Sequence, residues 1–182
     1  MLDIENHPII AAVKTDNDFM TAIDSDVQTI FLLSSDILTL SDRIATAHKA
    51  EKLLFAHMDF VQGLSNDTAG VKYIATKGID GIISTRSNII SAASEQGIMS
   101  VQRFFMIDSR SLETALDSLR SSRADMVELM PAIAYKTIEK VSRSVRIPVI
   151  AGGLIEQKDE IFKALGAGAS MISTGKRELW NE

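Results

Sequence analysis

Two glycine turns near the C-terminus carry the chemistry most visible in this sequence. Ile147-Pro148-Val149-Ile150-Ala151-Gly152-Gly153-Leu154-Ile155 reads as a buried strand that breaks at Gly152 and Gly153. Leu165 to Gly175 supplies a second strand, ending at Thr174 and Gly175. Glycine lets backbone N–H groups approach an anion with no side chain in the way. A helix that follows points its positive end at the same place. Phosphate binding is the preferred reading of this pair; the plainer one is that the glycines only close tight turns. Other polar residues fall where strands should end: Lys14, Ser34, Asp36, His57, Asp59, Gln62, Ser84, Arg86, Arg103 and Glu128. Lys14, Arg86 and Arg103 are cations, and the arginine fork suits phosphate or carboxylate. A small anionic ligand with hydroxyls fits this set.

Each residue also has a plainer role. Arg86 either meets a ligand or pairs with Glu128 or Asp59 across the mouth. Gln102 and Arg103 are adjacent, so in a regular strand only one faces inward; Arg103 is the expected one. His57 and Asp59 share a face if the strand runs through both. They would then make an acid–base pair, although a hydrogen-bonded histidine without catalytic role is commoner. His48 falls in a helical segment and His7 near the terminus, both expected at the surface.

These residues need a frame. Eight short apolar runs recur at Pro8–Val13, Val27–Leu33, Lys52–Met58, Ile79–Ser84, Ile98–Phe104, Ala124–Leu129, Ile147–Ala151 and Ala169–Ser173. They are rich in Val and Ile and lack polar alternation, as strands buried on both faces do. Amphipathic segments lie between them. In Ser111–Arg120 the apolar set is Leu112, Ala115, Leu116 and Leu119; in Ala134–Val145 it is Ala134, Ile138, Val141 and Val145. Asp108 and Ser109 offer caps, as do Asp16 and Asn17. The strands start roughly 19–27 residues apart. Alternating β and α elements imply a parallel sheet with right-handed crossovers. Eight units suggest an α/β fold of the compact (β/α)8 TIM-barrel type, with an open doubly wound sheet as runner-up. In such a barrel the two glycine turns follow strands seven and eight, where phosphate sites occur. The chain is short for a barrel, so short loops and a shortened last helix are expected.

The chain has 182 residues, 46% hydrophobic and 24% charged, which suits a single barrel domain over 1–182. No cysteine is present, so there is no disulfide, thiolate zinc site or thiol nucleophile. With three histidines, multi-histidine metal sites are largely excluded, and no metal or cofactor is expected. No targeting signal or membrane-length apolar run is seen, so a soluble, cytoplasmic protein with no membrane partner is expected. A net charge of −5 argues against a strongly basic nucleic-acid binder but leaves room for a local patch. One helix has such a face: Lys136, Lys140 and Arg143 at i, i+4, i+7, flanked by Arg146 and diluted by Glu139. A solvated face is the usual meaning of such a stripe; contact with nucleic-acid phosphates is the alternative.

The whole chain resembles the glycerol uptake operon antiterminators, the glycerol-3-phosphate responsive antiterminator family. The likeness is carried by Asn6 to Lys14, His57 to Leu64, Gly81 to Asn88, Val101 to Ser109, Glu128 to Pro131, Ala151 to Ile155 and Leu179-Trp180. Ser84-Thr85-Arg86-Ser87-Asn88 and Gln102-Arg103-Phe104 are its most specific stretches. The chain departs from the family pattern at Ser173-Thr174-Gly175-Lys176, where a turn richer in Ser, Thr and Asn is expected. The resemblance implies a regulator that senses glycerol 3-phosphate and acts on leader mRNA. The phosphate would meet Gly152, Gly153, Thr174 and Gly175, and the hydroxyls the polar mouth. RNA binding by so acidic a chain would require a small basic surface, doubled in a homo-oligomer. A different class of function on the same frame is a phosphosugar isomerase or lyase, with His57, Asp59 and Glu128 as acid and base.

Overall fold

The computed structural model describes Ile4 and residues 6–181. In chain order the main elements are β1 (Ile9–Val13), α1 (Asp16–Ile23), β2 (Thr29–Leu32), β3 (Ser35–Asp36), α2 (Leu40–Lys49), β4 (Leu53–His57) and β5 (Val61–Gln62). These are followed by α3 (Thr68–Thr76), β6 (Gly81–Ser84), α4 (Ser87–Gln96), β7 (Met99–Phe105), α5 (Ser109–Ser121) and β8 (Met126–Met130). The chain continues through α6 (Tyr135–Ser142), β9 (Val149–Gly152), α7 (Lys158–Gly166) and β10 (Met171–Thr174). Eight strands close a parallel barrel in the order β1-β10-β9-β8-β7-β6-β4-β2, with β2 returning to β1. All eight expected strands are present. Closure of β1 on β10 decides for the barrel over the open sheet.

The last helix is shortened to one 3-10 turn, Arg177–Leu179. One feature was not expected. The two-residue strands β3 and β5 pair in a separate ribbon above the barrel. Three of the four expected caps also differ. Thr15 caps α1 in a reciprocal box with Asp18, so Asp16 and Asn17 lie inside the helix. Asp108 caps α5 as expected, and Ser109 is its first residue. A side-chain cap of this kind typically contributes about 1 kcal/mol.

Strand alternation sorts the side chains into an outer layer against the helices and an inner one within the barrel. The inner layer takes one residue from each strand: Ile10, Phe31, Phe55, Ile83, Val101, Met126, Ile150 and Met171. All are buried, and the Phe31 and Phe55 rings lie 5.5 Å apart between centroids. This apolar plug closes the barrel from within. Two residues further along each strand stands the next inward layer, which forms the floor of the mouth.

Room for Phe55 depends on its neighbour in β6. A Cβ on Gly81 would meet Phe55 Cε1 at 2.2 Å and Cδ1 at 2.4 Å. Gly81→Ala is therefore expected to destabilise the protein by about 1–3 kcal/mol through overpacking. Urea unfolding reads this as a lower midpoint; an unchanged midpoint would contradict it.

Candidate ligand site at the barrel mouth

The floor of the mouth is built on one buried ion pair. Arg103 on β7 and Glu128 on β8 are paired in register, and Arg103 Nε donates to Glu128 Oε2 at 2.5 Å. Both side chains are buried. Gln102 points the other way, as alternation requires, and bonds to Ser87, Ser118 and Ser122 among the helices. The Glu128 carboxylate lies over Gly152, where a Cβ would come within 2.3 Å of Oε1. Gly152 is thus needed to admit Glu128, a different role from the anion approach expected of it.

The second cluster centres on Asp59. Strand β4 stops at His57, and Met58–Phe60 form a 3-10 turn, so His57 and Asp59 do not share a regular strand face, yet the turn still brings Asp59 Oδ2 to 3.8 Å from His57 Nδ1, the pairing expected of them. The turn brings Asp59 over the end of β6. There it accepts from Asn66 Nδ2 at 2.7 Å, Ser84 Oγ at 2.9 Å, and Thr85 N and Oγ1 at 2.9 and 3.1 Å. Burial pushes the Asp59 carboxyl up, but the Thr85 amide, Asn66, Ser84 and His57 together hold it below the ordinary carboxylate value. Arg86, half-exposed, has Nε 3.9 Å from Asp59 Oδ1, which settles its pairing in favour of Asp59 over Glu128. Ser84 is committed to Asp59 and to the Arg86 N–H.

Two cavities open at the mouth. One, of about 740 Å³, is lined by Lys14, Leu33, Ser34, Asp59, Gln62, Arg103 and Met130 among others. The other, of about 300 Å³, is lined by Lys14, Asp18, Arg103, Glu128, Met130, Gly153, Leu154, Ser173 and Gly175 among others. Lys14 and Arg103 border both. Of the expected site residues, Lys14, Asp59, Gln62, Arg103, Glu128, Gly153 and Gly175 line these spaces. His57, Ser84, Arg86, Gly152 and Thr174 do not. Thr174 faces away: its hydroxyl donates to the Ile155 carbonyl at 3.0 Å and accepts from Lys176 N. Ser173 takes the inward position instead. Its spacing two residues after the plug residue Met171 was the signal for it. Asp18 is also at the rim, held by Arg177 and Thr15.

The glycine turn after β9 is strained in a specific way. Gly153 and Leu154 have φ of 76° and 60°, two successive left-handed residues. A side-chain-bearing residue such as Leu154 takes that conformation at a cost of about 1–2 kcal/mol. Ala132 N donates to the Gly152 and Gly153 carbonyls at 2.8 and 3.1 Å, tying this turn to the loop after β8. The helix that follows, α7, begins with a capping box. Glu160 Oε2 accepts from Glu156 N and Gln157 N, and Glu160 closes a capping box with Gln157. The single 3-10 turn after β10 adds no helix end of useful length. Positive charge at the mouth therefore comes from side chains, Lys14 and Arg103.

The basic residues expected on the helix face are all exposed on α6 and just beyond it: Lys136, Lys140, Arg143 and Arg146. Arg143 pairs with Glu139 at 2.6 Å. Arg146 lines a cleft of about 330 Å³ that also holds Arg120, a cation the helical spacing did not connect to this face.

A polar cavity at the C-terminal mouth, over a sealed apolar plug, marks the chain as a (β/α)8 barrel whose open space lies where its strands end. The chain belongs to the glycerol-3-phosphate responsive antiterminator family, with the match running over residues 9–180. It is 32% identical over 178 residues to YgcP of Escherichia coli K12, covering 97% of this chain and 93% of that one. The glycerol uptake operon antiterminator regulatory protein of Listeria monocytogenes is similar at 32% identity and a TM-score of 0.93, with 98% and 97% of the two chains covered. A glycerol uptake operon antiterminator-related protein of Thermotoga maritima is similar at 33% identity and 0.85, covering 96% and 98%. Among the described residues no helix is long and apolar enough to cross a membrane.

His57 supplies a pH test of the mouth. Burial, and then the Arg103 charge, lower its pKa from 6.5 to about 4, with Asp59 opposing. The folded ring stays neutral where the unfolded ring takes up a proton, so stability is lost as pH falls from 6.5 towards 4. Nitrogen NMR is expected to show a neutral His57 ring at about pH 5.5. A ring titrating near its ordinary value would contradict the buried placement.

Proposed function

We propose that this protein is a cytoplasmic, non-catalytic sensor of glycerol 3-phosphate. On this reading it acts on leader mRNA of glycerol catabolic genes as a transcription antiterminator. The observation that carries the ligand is the convergence of Lys14 and Arg103 on a cavity bordered by the left-handed Gly153-Leu154 turn and Gly175. A phosphate there would be met by two cations beside the backbone of the glycine turn. The family to which the chain belongs is described as responsive to that same ligand. No cofactor is called for. Sensing requires that glycerol 3-phosphate bind one state of the mouth loops better than another, since the shift cannot exceed that difference.

For RNA, the support is the cluster of exposed cations on and beside α6, with Arg120 across the cleft from Arg146. Phosphate neutralisation by such groups dominates RNA affinity and makes it salt-dependent. A homo-oligomer would present the face twice.

The enzyme reading needs a free acid–base pair. The hydrogen bonds favour sensing, because Asp59 is held by four donors and Glu128 by Arg103. Robust turnover of a phosphosugar, abolished in Asp59→Asn, would overturn the sensor.

Calorimetry is expected to show glycerol 3-phosphate binding and no binding of glycerol. Lys14→Ala, at an exposed position, should weaken binding by about tenfold. Gly153→Val should weaken it further by straining the turn and pressing on Met130. Equal affinity for glycerol would sink the phosphate site. Binding to a leader hairpin should strengthen with glycerol 3-phosphate and weaken with salt. Replacing Lys136, Lys140 and Arg146 by alanine should flatten the salt slope by about one unit for each RNA phosphate no longer neutralised. Binding indifferent to ligand and salt would refute the RNA role.

A further inference from the structure

The Arg103–Glu128 pair leaves one atom without a protein partner. Glu128 Oε2 takes the Arg103 Nε–H, while Oε1 is buried and, among the described residues, accepts no hydrogen bond. A buried acceptor left alone is costly, and a charged one more so. The surrounding structure keeps it that way. Oε1 is packed against Gly152, where it takes the place a Cβ would fill. Glu128 itself borders the 300 Å³ cavity, with Arg103, Ser173, Gly153 and Lys14 around it.

We infer that Glu128 Oε1 is the hydroxyl acceptor of the site, so that the cavity reads a phosphorylated polyol and not a phosphate ester in general. This rests on the reading of glycerol 3-phosphate as the ligand and assigns the part of the site that the phosphate does not use. A carboxylate oxygen only accepts hydrogen bonds, so it selects an O–H and disfavours a carbonyl or ether oxygen at the same place. Arg103 sits between the two halves of the ligand. Its Nε holds Glu128 in place, and Arg103 borders both cavities. Ser173, buried and inward-facing, is the neighbour able to give or take a second hydroxyl bond. The site thus divides into a cationic part, Lys14 with the glycine turn, and an acceptor part at Glu128. A deoxy ligand would bury Oε1 unpaired, and sites built around such an atom reject the analogue that lacks the matching group.

The full chain is titrated by calorimetry with glycerol 3-phosphate, propyl phosphate and inorganic phosphate. Glycerol 3-phosphate is expected to bind roughly ten- to a hundredfold tighter than propyl phosphate. In Glu128→Gln the amide oxygen or nitrogen replaces the carboxylate, and the ratio is expected to fall towards one. Because Glu128→Gln also weakens the bond to Arg103, circular dichroism checks its fold. Should it not fold, the wild-type ratio decides alone. Equal binding of the two esters by the wild type would overturn the acceptor role and leave the phosphate reading standing. A full ratio retained in folded Glu128→Gln would overturn it as well. No binding of any of the three would remove both.

Discussion

The buried pair between Arg103 and Glu128 constrains much of what surrounds it. Both side chains are buried, and removing one partner of such a pair typically costs about 3–5 kcal/mol because the other charge stays buried. The pair bridges β7 and β8 at matched register, so any slip of one strand would break it and turn its neighbours to the wrong face. It also dictates Gly152 on the next strand, since Oε1 occupies the space of a Cβ there. After burial, the Arg103 charge also lowers the His57 pKa from two strands away in the barrel. Three strands and the His57 ring are thus affected by one ion pair. That commitment leaves the Arg103 charge fixed at the mouth without being neutralised on every side.

The mouth needs this because the barrel below is closed. One apolar residue from each strand fills the interior, from Ile10 to Met171. The open space therefore stops at the level of Arg103, Glu128 and Ser173. The opposite wall is set by a different device. Asp59 gathers Ser84, Thr85 and Asn66, which fastens the turn after β4 to the end of β6. The β3–β5 ribbon continues that wall upward. Rigid polar networks of this sort hold a site open by satisfying their own groups, and so they contribute shape more than contacts.

The order of elements was readable from the sequence because strands buried on both faces leave uninterrupted Val- and Ile-rich runs. The parity of side chains was readable for Arg103 over Gln102, since a regular strand admits only one inward residue of two. The same parity selects Ser173 over Thr174, but the glycine turn drew attention to the residue next to it. Other features were not legible because they depend on contacts between distant segments. The 3-10 turn that lifts Asp59 off the strand has no signature in Met58-Asp59-Phe60. The role of Gly152 belongs to Glu128, 24 positions earlier. The start of α7 is shaped by a contact of its own, since Glu160 takes the Glu156 and Gln157 amides that precede the helix. The resemblance identified the family correctly; geometry was needed to divide its motif residues into those that line the mouth and those that hold it.

On the proposed reading, the net charge of −5 poses a physical question: how an acidic chain would meet a polyanion, and how a small ligand would govern that meeting. Charge is not evenly spread: Arg120, Lys136, Lys140, Arg143 and Arg146 lie on and around α5 and α6, while Asp117 and Glu139 neutralise only two of them. A Debye length of about 8 Å at physiological ionic strength isolates such a face from acids elsewhere on the surface. The same helix is close to the mouth in the chain. Glu128 lies on β8, and four residues later Ala132 N is bonded to the carbonyls of the Gly152-Gly153 turn. Two residues beyond that comes Ala134, the N-cap of α6. A ligand that alters the Gly153 turn acts on the loop that launches the basic helix. The short mechanical distance makes coupling economical, and its size is bounded by how differently the ligand binds the two arrangements of that loop.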